Sequence, residues 1–252
     1  MDEAELSLRR NQMGQSVQPW ILASGPQAVG GLGTGHWLML SGAPSPDVNV
    51  ALVYDGDPDT LANTKHIVET AGYPTLFMLA GASQATELGS GWQHAGAMPF
   101  MSSSLTSEHL HSDTRVRQAD ASDFDTVGEI MAEAYGMTRE VADVVPNVLR
   151  VDEDAMRIWL LVDNGQPVST VLTAIVDDAV CVWCMGTPAR FGRQGYGRSL
   201  LADVLLRAKS EGASIGLLGA TPAGKPLYEA TGWSTLEEWQ LFLNAESVQF
   251  SH

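Results

Sequence analysis

The chain is poor in cysteine, in positive charge and in long apolar runs. Two cysteines in 252 residues cannot staple a fold together, so apolar burial must hold the core in a reducing setting. They are Cys181 and Cys184, in the string AVCVWCM. A redox or zinc pair needs both sulfurs on one side, and a structural zinc needs four ligands. Residues three apart on a strand face opposite ways, so these two read as packed thiols. No run of about 18 apolar residues occurs, so no membrane helix is expected. The opening MDEAELSLRR is acidic at its start and lacks the charged-then-apolar pattern of a signal peptide. The expectation is a soluble cytoplasmic protein whose first dozen residues are loose. Only 14 Lys and Arg stand against 30 Asp and Glu, a formal charge of −16. That balance argues against nucleic acid or anionic membrane as a partner.

What the chain does have is apolar material, 44% of its residues, which suits one large domain or two small ones. It also has a local concentration of cations. Five of the fourteen, Arg190, Arg193, Arg198, Arg207 and Lys209, fall within twenty residues, whereas residues 1 to 112 hold three against ten Asp and Glu.

Periodicity divides the chain into two alternating series. In the first, HWLML and VNVALVYD read as strands. Asp57-Pro58 opens a helix that Gly72 closes. PTLFMLAG reads as a strand, SQATELGSGWQHAG as a helix and AMPFM as a strand. GGLGTG, Gly30 to Gly35, precedes a strand rather than following one, so it reads as a hairpin or loop and not as a dinucleotide fingerprint. Residues 102 to 113, SSSLTSEHLHSD, have no apolar period and place a boundary there. His109 and His111 lack further ligands nearby and read as linker. The second series runs strand (TRVRQA), a helix begun by a capping box at Ser122 and Asp125, and a second helix from Thr138 to Pro146. Three strands follow, joined at Asn164-Gly165 and Asp177-Asp178. A glycine loop, a long helix, a strand (SIGLLGA), a short helix (AGKPLYEATG) and a last strand (EEWQLFLN) complete it.

The glycine loop is GRQGYGRSLL, Gly192 to Leu201. A loop entering a helix presents unpaired main-chain N–H groups and the positive end of the helix dipole. Together these form an anion site, above all for phosphate. Gly195 and Gly197 permit close approach of a ligand to the backbone, with Arg193 and Arg198 at the sides. An ordinary glycine-rich turn with solvated arginines is the competing reading. Walker and Rossmann contexts both fail, because no Lys-Ser/Thr follows and a meander precedes.

A three-strand meander, this loop, a helix, a strand and a short helix carrying LYEATGW resemble the GCN5-related N-acetyltransferase (GNAT) family. Its phosphate loop, Arg/Gln-x-x-Gly-x-Gly/Ala, is matched by Gly192-Arg193-Gln194-Gly195-Tyr196-Gly197. Gly192 departs from the pattern, and Arg193 or Arg190 would compensate. Ala223 to Trp233 is similar to the family's A-x-x-LY-x-x-x-GF segment. The resemblance covers roughly residues 113 to 247, and residues 1 to 112 more weakly resemble the degenerate first half of two-domain members.

The resemblance implies an α/β fold on a mixed sheet, the acyl-CoA N-acyltransferase (GNAT) fold. Residues 113–252 would form a C-terminal catalytic domain and residues 1–112 an N-terminal GNAT-like partial domain. It implies acetyl-CoA as co-substrate, no metal, and a small-molecule primary amine as acceptor. Cofactor contacts would come from Gly192, Arg193, Gln194, Gly195, Tyr196, Gly197 and Arg198, and from Met185, Gly186 and Thr187, whose backbone would meet the pantetheine arm and thioester oxygen. Tyr228 would protonate the departing thiolate. Glu133 and Tyr135 fall where the acceptor site would form, and no residue is singled out as the base. Trp183, Trp233 and Trp239 read as core. A non-catalytic acyl-CoA sensor and an acetyltransferase of protein or peptide N-termini stay open. The oligomeric state is not legible.

Overall fold

The computed structural model describes residues 1–106, 108–150 and 155–244. Its opening is ordered. Asp2 accepts the Glu5 N–H and caps helix α1, Glu3–Ser16. The expected loose start is wrong because α1 buries its polar side rather than an apolar stripe. Arg9, Arg10, Gln12 and Met13 are all buried. Helix α2, Gln18–Ala23, follows directly.

The first series then gives β1 (Val29–Gly33), β2 (His36–Leu40), a 3-10 turn at Pro46–Val48, β3 (Asn49–Val53), α3 (Pro58–Ala71) and β4 (Leu76–Leu79). The GGLGTG segment is the expected hairpin, with Gly33 facing His36. Asp57 caps α3, and Gly72 ends it in the left-handed region. The helix expected at 83–96 does not form. Glycines at 89, 91 and 96 break it, each at positive φ, and the segment feeds the thirteen-residue strand β5, Trp92–Ser104. Ser102 to Ser104, expected in the linker, belong to that strand.

The second series follows the expected order: β6 (Val116–Gln118), α4 (Phe124–Tyr135), α5 (Arg139–Ala142), β7 (Arg157–Asp163), β8 (Gln166–Val176), β9 (Ala179–Gly186), α6 (Tyr196–Ser210), β10 (Ile215–Gly219), α7 (Lys225–Glu229) and β11 (Ser234–Asn244). The capping box before α4 is Asp120 with Asp123 rather than Ser122 with Asp125.

All eleven strands join one mixed sheet in the order β1-β2-β3-β4-β11-β5-β10-β9-β8-β7-β6. Its two ends repeat one another. β1, β2 and β3 form an antiparallel meander, α3 crosses over, and β4 returns parallel to β3. Likewise β7, β8 and β9 form a meander, α6 crosses over, and β10 returns parallel to β9. Each series then ends in a strand that pairs with the other series. β5 lies antiparallel to β10, β11 lies antiparallel to β4, and the two pair with each other along the centre. The final strands are thus exchanged, so the two series, separable near residue 112 in sequence, share one sheet.

One apolar cluster spans both series, from Met13, Trp37 and Met78 to Met131, Leu172 and Trp239. Trp37 meets the edges of Trp183 and Trp239 at ring-centroid distances of 6.1 and 6.4 Å. Polar clamps reinforce the join. Arg9 Nη1 and Gln12 Nε2 donate to Asp178 at 2.6 and 3.0 Å, and Trp20 Nε1 donates to the Val144 carbonyl at 3.0 Å.

Candidate acyl-transfer site

The site is prepared by a fault in β9. Its pairing with β8 slips between Thr170 and Leu172, and Cys184 takes a positive φ of 46°. That is a β-bulge with a non-glycine residue in the left-handed region, a strained arrangement that only surrounding structure sustains. It also corrects the expectation for the cysteines. The extra residue breaks the alternation, so Trp183 and Cys184 both pack with the cluster that holds Cys181. Both thiols are free, and burial pushes each up to about 12, so neither is a nucleophile at neutral pH.

Just before the bulge, β9 leaves β10. Their parallel pairing runs only from Ile215–Ala179 to Leu217–Cys181, so residues 182 to 186 border an opening. Two anchors hold this margin. The Tyr135 hydroxyl donates to the Met185 carbonyl at 2.9 Å, and the Ser169 hydroxyl donates to the Gly186 carbonyl at 3.0 Å.

The glycine loop lies at the end of the opening. Gly195 has φ 83° and precedes α6, which has no side-chain cap. The first ladder bond runs from the Ser199 N–H to the Gly195 carbonyl at 2.9 Å, so the amides of Tyr196, Gly197 and Arg198 have no carbonyl one turn earlier. Residues 192 to 195 are exposed, and a Cβ on Gly195 would meet only open space. Gly197 is tight: a Cβ there would sit 3.1 Å from Met185 Cε and 3.4 Å from Thr187 Oγ1. The loop glycine and the strand margin thus touch. The Tyr196 side chain turns away, donating to Asp163 at 2.9 Å, which leaves its main-chain amide at the helix mouth.

Among the described residues, ten of the fourteen cations sit in ion pairs; Arg193 and Arg198 do not. Arg190, a candidate to compensate for Gly192, is bound by Glu133 of α4. Arg193, itself at φ 60°, is the cation left beside Gly192.

Tyr228 lies across the opening on α7. Among the described residues its hydroxyl has one partner, the Met185 thioether, at 3.8 Å, a weak acceptor that a better one can replace. Burial, with a smaller contribution from Cys184, pushes this phenol up to about 12. The phenol therefore stays neutral and proton-bearing at physiological pH.

Met185, Cys184 and Tyr228 line a cavity of about 240 Å³ that both series enclose. Asp47, Val48 and Met78 come from the first, and Met131, Tyr135 and Trp239 from the second. Sequence reasoning left Asp47, Met78 and Cys184 out of the site. A chain that folds onto itself across more than 80 positions gives no local signal of it.

Residues 107–221 match the model of the family described as Acetyltransferase (GNAT) domain. They are a GNAT acetyltransferase domain. That makes the chain an acyltransferase, and GNAT enzymes take their acetyl group from acetyl-CoA. The GNAT fold extends beyond the matched residues, as solved structures show. The chain is similar to a GCN5-related N-acetyltransferase from Kribbella flavida, 14% identical, over 95% of this chain and 96% of that one, TM-score 0.67. It is similar to a GCN5-related N-acetyltransferase-like protein from Streptococcus suis 89/1591, 15% identical, over 96% and 100%, TM-score 0.56. A GCN5-related N-acetyltransferase from Sphaerobacter thermophilus, 14% identical, covers 83% and 76%, TM-score 0.53. At these identities the likeness is one of fold. No curated protein matches the sequence. No helix among the described residues is long and apolar enough to cross a membrane.

Proposed function

We propose that the chain transfers an acetyl group from acetyl-CoA to the primary amine of a small molecule in a ternary complex. Residues 113–252 would carry the chemistry, and residues 1–112 would act as a GNAT-like partner half. The observation that carries this reading is the alignment of three features along one opening. They are an uncapped helix mouth at Gly195, a strand margin bared at Met185–Thr187, and a neutral phenol at Tyr228.

In this reading the diphosphate of the cofactor rests on the amides of Tyr196, Gly197 and Arg198. Arg193 and Arg198 add charge, and Gly192, Gln194 and Gly195 leave the approach clear. The pantetheine arm enters between β9 and β10 along Met185, Gly186 and Thr187. Main-chain N–H groups of that margin meet the thioester oxygen as negative charge develops there. The deprotonated amine attacks the carbonyl carbon, and the C–N bond forms. The tetrahedral adduct collapses, the C–S bond breaks, and Tyr228 gives its proton to the sulfur. The proton shed by the amine passes to solvent, which restores Tyr228. A cavity of about 240 Å³ favours a small acceptor over a peptide N-terminus, which needs a long open groove.

Labelled acetyl-CoA mixed with a panel of amines tests the proposal. Transfer with release of one thiol per acetylated amine is expected. No cofactor binding at millimolar concentration would overturn it. Binding without transfer to any amine would instead support a sensor.

A further inference from the structure

The chemistry of the cavity wall narrows the acceptor, on the footing of the proposed acetyl transfer. Six of the chain's ten methionines line it: Met13, Met78, Met98, Met131, Met137 and Met185. Thioethers and aliphatic side chains offer a polarizable, adaptable surface that accepts apolar groups of varied shape. Trp183 and Trp239 add flat aromatic area. Against this, among the described residues, the wall carries no Lys, Arg, His or Glu and a single carboxylate, Asp47.

Asp47 stands in the 3-10 turn before β3, on the partner half. The Ser45 hydroxyl donates to its Oδ2 at 2.7 Å, and no cation pairs with it among the described residues. Burial is the main reason that the Tyr135 phenol and the Cys184 thiol hold their protons more tightly than usual, and the Asp47 carboxylate adds a smaller contribution to each. Those two groups adjoin Met185, where the acyl group would arrive. The Asp47 carboxylate is exposed to solvent and lines the same cavity, so its negative charge attracts one ammonium to the cavity wall.

We infer that the acceptor is a monoamine with an apolar body, its ammonium drawn by Asp47 and its body held on the methionine wall. A polycation would have to bury further charges without partners, which costs far more than the contacts return. A free amino acid would set its carboxylate against thioethers and Asp47. Asp47 is then a positioning residue supplied by the half that holds no cofactor loop.

The test uses the full chain with 2-phenylethylamine, hexylamine, spermidine and lysine. Amine binding is followed by calorimetry with and without coenzyme A, and transfer by thiol release. The two apolar monoamines should exceed spermidine and lysine in kcat/KM by about tenfold or more. Asp47→Asn should raise the KM for 2-phenylethylamine by about tenfold. It should leave the KM for acetyl-CoA unchanged and move kcat less than KM. Asp47→Glu should restore part of the loss. Met78→Glu, which adds a second carboxylate to the wall, should shift preference towards spermidine. Preference of the native chain for spermidine or lysine, or an Asp47→Asn variant with unaltered amine KM, would overturn the inference while leaving acetyl transfer intact. Failure to bind acetyl-CoA would instead sink the transferase reading. Calorimetric binding of 2-phenylethylamine that depends on Asp47 would then still support the amine site, and its absence would overturn it.

Discussion

The two crossover helices, α3 and α6, occupy matching places in the two ends of the sheet, and their N-termini differ in every respect that matters to an anion. The loop before α3 reads Tyr54-Asp55-Gly56-Asp57-Pro58-Asp59. Asp57 accepts the N–H groups of Asp59 and Thr60, at 3.2 and 3.3 Å, and the Thr60 hydroxyl at 2.9 Å. The helix mouth is therefore filled by the protein's own carboxylate, with Asp55 and Asp59 on either side. Those hydrogen bonds hold the Asp57 carboxyl below the ordinary aspartate range. The loop before α6 has no such cap and carries Arg193 and Arg198. The strands below repeat the contrast. β3 and β4 stay paired to Val53–Leu79, and Ala80 N–H extends the ladder to the Val53 carbonyl at 3.0 Å. β9 and β10 part after Cys181–Leu217. Where the second half opens, the first is stoppered. Arg10, fully buried, lies over the Tyr54 ring and forms a two-pronged pair with Glu237 at 2.6 and 2.7 Å. One architecture thus yields a helix mouth left uncapped beside arginines or filled by a carboxylate, according to the residues that the loop supplies.

The largest expected effect falls on the half that opens. Tyr228→Phe should lower kcat by about a hundredfold to ten-thousandfold and leave the acetyl-CoA Kd unchanged. The phenol is pushed up to about 12. In the native enzyme kcat should therefore rise as the amine deprotonates and show no alkaline fall below about pH 11. A fall near pH 9 would remove Tyr228 from the proton's path.

Next comes the stopper. Arg10→Ala leaves Glu237 buried without its partner and should cost about 3–5 kcal/mol in urea unfolding. If the cost proved small, the first half would be an idle cleft rather than a sealed one.

The glycines sharpen the contrast with a smaller effect. Gly195→Val forces a branched side chain into the left-handed region and should weaken acetyl-CoA binding about thirtyfold. Gly56→Ala, at φ 75° and 2.7 Å from Ala82 Cβ, should cost about 1–2 kcal/mol of stability and leave the Kd unaltered. Calorimetry of the native chain should give one acetyl-CoA per chain. A stoichiometry of two would break the comparison outright.

The smallest effect concerns the clamp between the halves. Hydrogen bonds from Arg9 and Gln12 lower Asp178 to about 2, beneath an unfolded value of about 3.9. A depressed carboxyl stabilises the fold above its unfolded value, and the contribution disappears as pH falls from about 4 through 2. Asp178 is half exposed, so Asp178→Asn should cost about 1 kcal/mol or less at pH 7. Near pH 2 the variant and native chains should unfold alike.

Much of this was legible in the sequence because it is encoded over short distances. The cap at Asp57 and stop at Gly72, the turns at Asn164-Gly165 and Asp177-Asp178, and the glycine mouth before α6 each depend on residues within one turn of one another. The element order around them was enough to point to the fold. The readings that failed depended on partners far away. MDEAELSLRR looked loose because its buried arginines meet Asp178 and Glu237, more than 160 positions distant. The strand at 92–104 lacks strand periodicity at its start because its partner, β11, is more than a hundred residues further on.

By itself, then, the sequence determined most of the helices and strands and the uncapped glycine mouth before α6, since backbone propensity and capping act locally. Tertiary structure alone decided the exchange of β5 and β11, the bulge at Cys184 and the cavity that Asp47 and Tyr228 share. The bulge comes from the pairing of β8 with β9, and the exchange and the cavity exist only when the two halves pack, because closing the central sheet brings together side chains whose separation along the chain carries no pattern.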